Sequence, residues 1–274
     1  MQLQIPGSTV QKDLAFSAKG LDVDVVTQSG TKRLIENLDF EIQRGEIISI
    51  IGTSGAGKTT LLRVLGGLMP ATNSSEVTAF GKPLNGVPDK VLMVFQDYAS
   101  SLLPWRTVRR NVALGLETKY KGKDLQSRVD TALDLVGLRS RADEYPWRLS
   151  GGMQQRVQIA RALATEPEVL LMDEPFGALD AITKTSLQDE LLKVQKKTGA
   201  TIVFITHDVE EAVYLGDRVI ALGGIPGRIM DIFEVDLPRP RHQIKTKEMP
   251  EFLRLRHKAY ESVVEAELAL RREQ

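Results

Sequence analysis

The chain of 274 residues contains no cysteine. Disulfide scaffolds, zinc–thiolate sites and thiol catalysis are thereby excluded. Long hydrophobic runs are missing as well. A spanning helix needs roughly 20 apolar residues, and the candidates here are short, such as Ile47-Ile48-Ser49-Ile50-Ile51. The first 20 residues hold no long apolar stretch, so no secretory signal is read and a cytoplasmic location is expected. Nor is there an excess of charge: Lys+Arg and Asp+Glu are both 36, for a formal net charge of zero. A polyanion binder is usually basic, which disfavours nucleic acid as the main partner. No internal repeat or low-complexity tract interrupts the chain. What is present is a globular mix, 42% apolar and 26% charged, long enough to bury a core without staples.

Residues 1 to about 20 are weakly periodic and read as an extension. Leu38, Phe40 and Ile42 then alternate with Asp39 and Glu41, the pattern of a half-buried strand. Glu46 to Ile51 reads as a short buried strand rich in β-branched residues. Gly52 to Gly57 breaks it, and a helix follows with Leu61, Leu62, Leu65 and Leu68 on one face and Gly66-Gly67 near its end. Val91 to Phe95 is a second buried strand. Residues 97 to about 148 show helical spacing, many Arg and Lys, and punctuation at Pro104 and Pro146, as an inserted helical subdomain would. Ser150 is a good N-cap for a helix bearing Met153, Val157, Ala160 and Ala164 on one face. Val169 to Met172 and Thr201 to Ile205 are further buried strands, with a helix between them. Such alternation predicts an α/β fold with a largely parallel sheet. Pro238-Arg239-Pro240-Arg241 reads as a linker. Phe252, Leu255, Ala259, Val263, Ala266 and Leu270 form the stripe of a last helix, expected to pack on its own domain.

Three motifs carry chemistry. Gly52-Thr53-Ser54-Gly55-Ala56-Gly57-Lys58-Thr59 fits the phosphate-binding loop, with a strand before it and a helix after it. Its glycines let successive N–H groups face phosphate oxygens, and the helix start adds positive charge. Lys58 would reach the β- and γ-phosphates, and Thr59 would offer a hydroxyl to Mg²⁺. The second motif is the strand ending in Asp173-Glu174. In an open α/β sheet, ligands sit beyond the carboxyl ends of strands. Asp173 is placed to hold Mg²⁺ through water, and Glu174 to act as general base on an attacking water. Standing alone, such a pair is more often a solvated strand end; beside a phosphate-binding loop the functional reading overtakes it. The third is Leu149-Ser150-Gly151-Gly152-Met153-Gln154-Gln155-Arg156. It is either a plain helix cap or a second helix end offering amides to an anion.

The order of these motifs, with Gln96 after the second strand, then Gly177-Ala178-Leu179-Asp180 and Thr206-His207-Asp208, resembles the ATP-binding subunit of an ABC transporter. The resemblance covers roughly residues 21 to 240. Leu102-Leu103-Pro104-Trp105-Arg106-Thr107-Val108 and Pro238-Arg239-Pro240-Arg241 are similar to the nitrate/sulfonate/taurine importer branch. The implied fold is a P-loop NTPase of RecA-like type: a mainly parallel sheet core, an N-terminal antiparallel β part and an inserted α-helical subdomain. The implied organisation is an N-terminal extension over 1–20, the ATPase domain over 21–240 with its helical subdomain at about 97–150, and a C-terminal helical segment over 241–274.

Several roles follow from the resemblance. ATP would be bound by Gly52, Thr53, Ser54, Gly55, Ala56, Gly57, Lys58, Thr59 and Thr60. Mg²⁺ would be held by Thr59, Gln96 and Asp173. Glu174, His207 and Gln96 would be catalytic, with His207 sensing the γ-phosphate. Leu149, Ser150, Gly151, Gly152, Met153 and Gln154 would contact ATP held by a partner subunit, and Ala178, Leu179 and Asp180 would cross the dimer interface. The family places an aromatic residue about 25 positions before the phosphate loop to stack on adenine. Here that region is Val25-Val26-Thr27-Gln28-Ser29-Gly30, with Val26 as the apolar substitute. The expected function is an ATP-hydrolysing subunit that energises import as a head-to-tail nucleotide-sandwich dimer. It would sit at the cytoplasmic face of the membrane through permease subunits, and a substrate-binding protein would act indirectly. The alternative is a soluble ABC ATPase acting on nucleic acid or ribosomes.

Overall fold

The computed structural model of the chain describes residues 13–28, 30–72 and 75–273. The chain opens with two long strands, β1 (Leu14–Thr27) and β2 (Gly30–Gln43), followed by β3 (Ile47–Gly52) and α1 (Lys58–Leu65). Three short strands come next: β4 (Glu76–Ala79), β5 (Lys82–Pro83) and β6 (Val91–Val94). The helices α2 (Tyr98–Ser101), α3 (Val108–Ala113) and α4 (Gly122–Leu135), with 3-10 turns at Arg139–Arg141 and Pro146–Arg148, lead into α5 (Gly151–Ala164). Then come β7 (Val169–Asp173), α6 (Ala181–Thr198), β8 (Thr201–Ile205) and α7 (Val209–Leu215). The chain finishes with β9 (Arg218–Gly223), β10 (Arg228–Glu234) and α8 (Pro250–Glu273).

Two sheets result. One is antiparallel, in the order β2-β1-β4-β5. The other runs β10-β9-β3-β8-β7-β6, parallel throughout except for the β9–β10 pair. Alternation along the parallel strands divides the core in two, because successive side chains leave opposite faces of a sheet. Ile47, Ile51, Leu170, Met172, Ile202, Phe204, Val219 and Ala221 pack with the helical segment and with α5 to α8. Ile48, Ile50, Val169, Leu171, Val203, Ile205, Ile220 and Leu222 pack with α1 and the antiparallel sheet. Both faces are covered, so the strands read as continuous apolar runs. Each fully buried Ile, Leu or Val contributes roughly 1.5–3 kcal/mol.

The structure corrects three readings. Residues 14–20 are not an extension but the first half of β1, with Ala15, Phe16 and Ala18 buried. Register shifts between Leu14 and Phe16 and between Ala18 and Leu21 break the two-residue alternation there, and that hides the strand from pattern reading. Residues 1–12 lie outside the described residues. The helix α1 stops at Leu65, and Leu68 is exposed rather than on its apolar face. Gly67 at φ +66° forces this turn, and a Cβ there would overlap the Gly86 carbonyl oxygen at 1.9 Å. The linker reading of Pro238–Arg241 also changes. Arg241 is buried and donates to Tyr214 O at 2.9 Å and Gly216 O at 2.7 Å. Its guanidinium closes the C-terminal carbonyls of α7 and docks the segment onto the core. The stripe on α8 packs inward as expected, with Phe252, Leu255, Ala259 and Ala266 buried.

Candidate active site

The carboxyl ends of β3, β6, β7 and β8 share one edge of the sheet, because the four strands run in the same direction. The Gly52–Gly57 loop leaves β3 there. Gly52, Gly55 and Gly57 have φ of +142°, +82° and +78°, values that a residue with a Cβ rarely adopts. At Gly52 a Cβ would also stand 1.9 Å from the Leu222 carbonyl oxygen. The tight curl gathers the loop's backbone at the start of α1, where amides can face an anion. Lys58 opens that helix, and its Nζ donates to Gly52 O and Thr53 O, both at 2.8 Å. Burial draws the Lys58 ammonium below the usual lysine range, while the charges of Glu174 and Asp173 pull it back.

Asp173 closes β7 and is 4% exposed. Burial pushes its carboxyl above the usual range. The hydrogen bond with Thr59 opposes this, the charge of Glu174 adds to it, and Arg63 and Lys58 lower it. The next residue, Glu174, turns at φ +47°, left-handed backbone that is uncommon away from glycine. Its Oε2 accepts from Gln96 Nε2 at 3.0 Å and lies 3.5 Å from His207 Nδ1. Gln96 follows β6 and His207 follows β8. Three residues distant in sequence therefore meet at one carboxylate oxygen, beside the phosphate loop.

The remaining predicted residues gather at other points. Ser150 is exposed and caps α5, its Oγ accepting from Met153 N at 3.4 Å. Leu149 is buried, and Gln154 turns inward, with Nε2 donating to Pro146 O at 3.0 Å and Leu149 O at 3.3 Å. Gly152 lies tight against the 178–179 backbone, where a Cβ would meet Ala178 O at 3.2 Å. Asp180 caps α6 by accepting from Thr183 N at 3.0 Å. The Leu149–Gln154 and Ala178–Asp180 segments thus pack together. Val26 is 89% exposed near the β1–β2 turn, so nothing among the described residues covers it. Thr60 lies in the first turn of α1, half-buried.

Two residues near the site escaped sequence reasoning. Ile225, between β9 and β10, has its Cδ1 3.5 Å from where a Cβ on Gly55 would be. It is half-exposed beside the loop, and no motif marks it. Gln155 is buried at 3% exposure and bonds to both ends of the turn that carries Glu174. The sequence places it inside the Leu149–Arg156 motif but gives it no role there.

The sequence profile of the ABC transporter family matches residues 35–177, the stretch holding the phosphate loop, Gln96, Ser150–Gly152 and Asp173-Glu174. The chain belongs to the ABC transporter family. An ABC transporter ATP-binding protein of Methanocaldococcus jannaschii is 47% identical to this cassette over 229 residues, 82% of each chain. A nitrate import ATP-binding protein of Synechococcus elongatus is 44% identical, over 81% of this chain and 34% of its own. A bicarbonate transport ATP-binding protein of a Synechocystis species is also 44% identical, over 84% of this chain and 35% of its own. The cassette therefore spans about a third of the length of those two relatives. A solved dimeric ATP-binding cassette, in a post-hydrolysis state bound to ADP and Pi, matches with a TM-score of 0.73. It is 32% identical, over 80% of this chain and 98% of that one.

The fold is the P-loop NTPase fold of ABC ATPase cassettes, and the chain is an ATPase of that family. Mg²⁺ is the cofactor of such ATPases, and the residues fit it. Among the described residues no cluster of three or more His, Asp and Glu forms a metal cage. Magnesium does not need one, since it is held by one or two carboxylates together with substrate phosphates and water. The Thr53 Oγ1 is buried without a hydrogen-bond partner, and Asp173 is destabilised as a carboxylate by its burial. A bound phosphate and cation would meet both demands.

Proposed function

We propose that this ABC cassette is the ATP-hydrolysing subunit of an importer, and that two cassettes work head to tail with ATP between them. The observation that carries the reading is the meeting of Gln96 and His207 on Glu174 Oε2, next to Lys58. In this reading Glu174 takes the proton of the attacking water, and Gln96 and His207 hold its carboxylate in line. Lys58 and the Gly52–Gly57 amides, with Thr60 at the helix start, grip the phosphates and carry charge that develops during transfer. Thr59, Asp173 and the amide oxygen of Gln96 would hold Mg²⁺, which neutralises charge on the β- and γ-phosphate oxygens. Ser150, Gly151 and Gly152 lie at an exposed helix start and would meet the γ-phosphate held by the second cassette. Val26 would touch the base by apolar contact.

Import rests on the nitrate and bicarbonate relatives. No helix among the described residues is long and apolar enough to cross a membrane, so attachment would run through permease subunits at the cytoplasmic face, with a substrate-binding protein on the far side. Phe95, beside Gln96 in sequence, and Trp105, in the segment that follows, are 40% and 72% exposed and would offer apolar surface for that contact, while Leu102 is buried as core. The test is Glu174→Gln. This variant is expected to bind ATP, turn over at least about a hundredfold more slowly, and elute as a dimer when ATP is present. Turnover at the wild-type rate would falsify the assignment of Glu174.

A further inference from the structure

We propose that Gln155 is a positioning residue, tying the helix that presents Ser150–Gly152 to the backbone of Glu174. The inference rests on the reading of Glu174 as the base. Gln155 lies one turn into α5, nearly free of solvent. Both ends of its amide are engaged. Nε2 donates to the Glu174 carbonyl at 3.2 Å, and Oε1 accepts from Ala178 N at 3.3 Å. The side chain thus bridges the first and last residues of the turn from Glu174 to Ala178.

That turn needs holding. Glu174 is at φ +47°, a conformation that persists in a residue with a Cβ only when its surroundings over-determine it. Its backbone N–H donates to Ile205 O at 3.1 Å, and its carbonyl accepts from Gly177 N at 3.2 Å. The Gln155 amide supplies the second donor to that carbonyl. Gly152, on the same helix, closes against Ala178 O and Leu179. The helix end and the turn therefore move as one body. In a head-to-tail pair, a shift of Ser150–Gly152 against the neighbour's ATP would reach the carboxylate at this subunit's own ATP through Gln155. A merely structural glutamine would be indifferent to which carboxylate it supports; this one acts through Glu174.

The experiment is a double-mutant cycle on the full-length chain. Gln155→Leu keeps the volume and removes both hydrogen bonds. It is expected to lower kcat by about ten- to a hundredfold, the cost of a misplaced reacting group, with KM for ATP and ADP affinity unchanged within about twofold. In a Glu174→Gln background the same substitution is expected to change turnover by less than about twofold, because its route of action is already gone. Wild-type kcat in Gln155→Leu overturns the proposal. So does loss of ADP binding, which would make the residue a plain fold determinant, and so does a full additive loss in the Glu174→Gln background. Wild-type turnover of Glu174→Gln itself would instead remove the base assignment, a separate failure.

Discussion

At the scale of single residues, Asp173 sets the sharpest expectation. Burial pushes its carboxyl above the usual carboxylate range, chiefly because the charged form has lost its water. Mg²⁺ binds the charged form. As pH falls through the raised pKa, protons displace the cation, and this begins at a higher pH than an ordinary aspartate would require. If Asp173 holds the cation as proposed, the Mg²⁺ concentration for half-maximal hydrolysis is expected to climb on acidification and to level off on the alkaline side. Asp173→Asn should raise that requirement throughout and flatten its pH dependence. Magnesium titrations of the ATPase rate at fixed ATP provide the measurement, and a wild-type requirement that does not change with pH would contradict the assignment.

At the scale of elements, α6 and α7 are joined by a half-buried polar knot that begins at Asp208, the residue after His207. Lys184 donates to Asp208 Oδ2 at 2.7 Å and lies 3.3 Å from Glu211 Oε1, which also accepts from Gln188 Nε2 at 2.8 Å. Asp208 in turn caps α7 by accepting from Glu210 N and Glu211 N. Burial raises Asp208, but the hydrogen bond and charge of Lys184 and the two amides outweigh it, leaving the carboxyl below its usual range. This stabilisation is therefore present at neutral pH and is lost as pH falls through the lowered value. Glu211 is 4% exposed, so removing the cation leaves a buried charge unpaired. Lys184→Met is expected to destabilise the fold by about 1–3 kcal/mol, visible as a lower urea midpoint. It should also slow hydrolysis, because the start of α7 fixes His207. A midpoint within experimental error of wild type would show that the knot carries no stability.

The same scale shows what a sequence can and cannot reveal. Parallel strands buried on both faces read as apolar runs, which is why β3, β7 and β8 were legible together with the polar residues at their carboxyl ends. Lys58, Asp173 and Glu174 stood out because phosphate chemistry demands those residue types in a glycine-rich loop and at a strand end, whereas His207 was marked only by the family resemblance. The start of β1 was hidden by its bulges, and the end of α1 by the turn at Gly67, which lies against the distant Gly86 carbonyl. Gln155 was hidden for another reason. α5 buries residues on nearly every side, among them Gln155, Val157, Gln158, Ile159 and Ala160, so no polar face sets the glutamine apart. Arg241 and Ile225 depend on contacts with α7 and the phosphate loop that only the closed fold creates.

At the scale of the whole molecule, one cassette carries Lys58 and Ser150 on segments that the head-to-tail reading assigns to different ATP sites. Lys58 lies in the first turn of α1 behind the parallel sheet, whereas Ser150 lies at the exposed start of α5, packed with the 178–180 loop. This division can be read by complementation. Lys58→Ala removes the phosphate cation from a subunit's own site, and Ser150→Arg blocks the partner's. Each variant alone puts a lesion into both sites of its homodimer, so each should be nearly inactive. In a mixed dimer both lesions fall on one site, and the other site combines a wild-type Lys58 with a wild-type Ser150. Equal mixing makes half the dimers mixed, each with one intact site, so ATPase activity should recover to about a quarter of wild type if sites act independently. If both sites must fire together, recovery falls below that value, and ATP-induced dimerisation of the mixture on a sizing column should still exceed that of either variant alone. A mixture showing neither recovered activity nor added dimer would mean that Lys58 and Ser150 do not meet across one nucleotide.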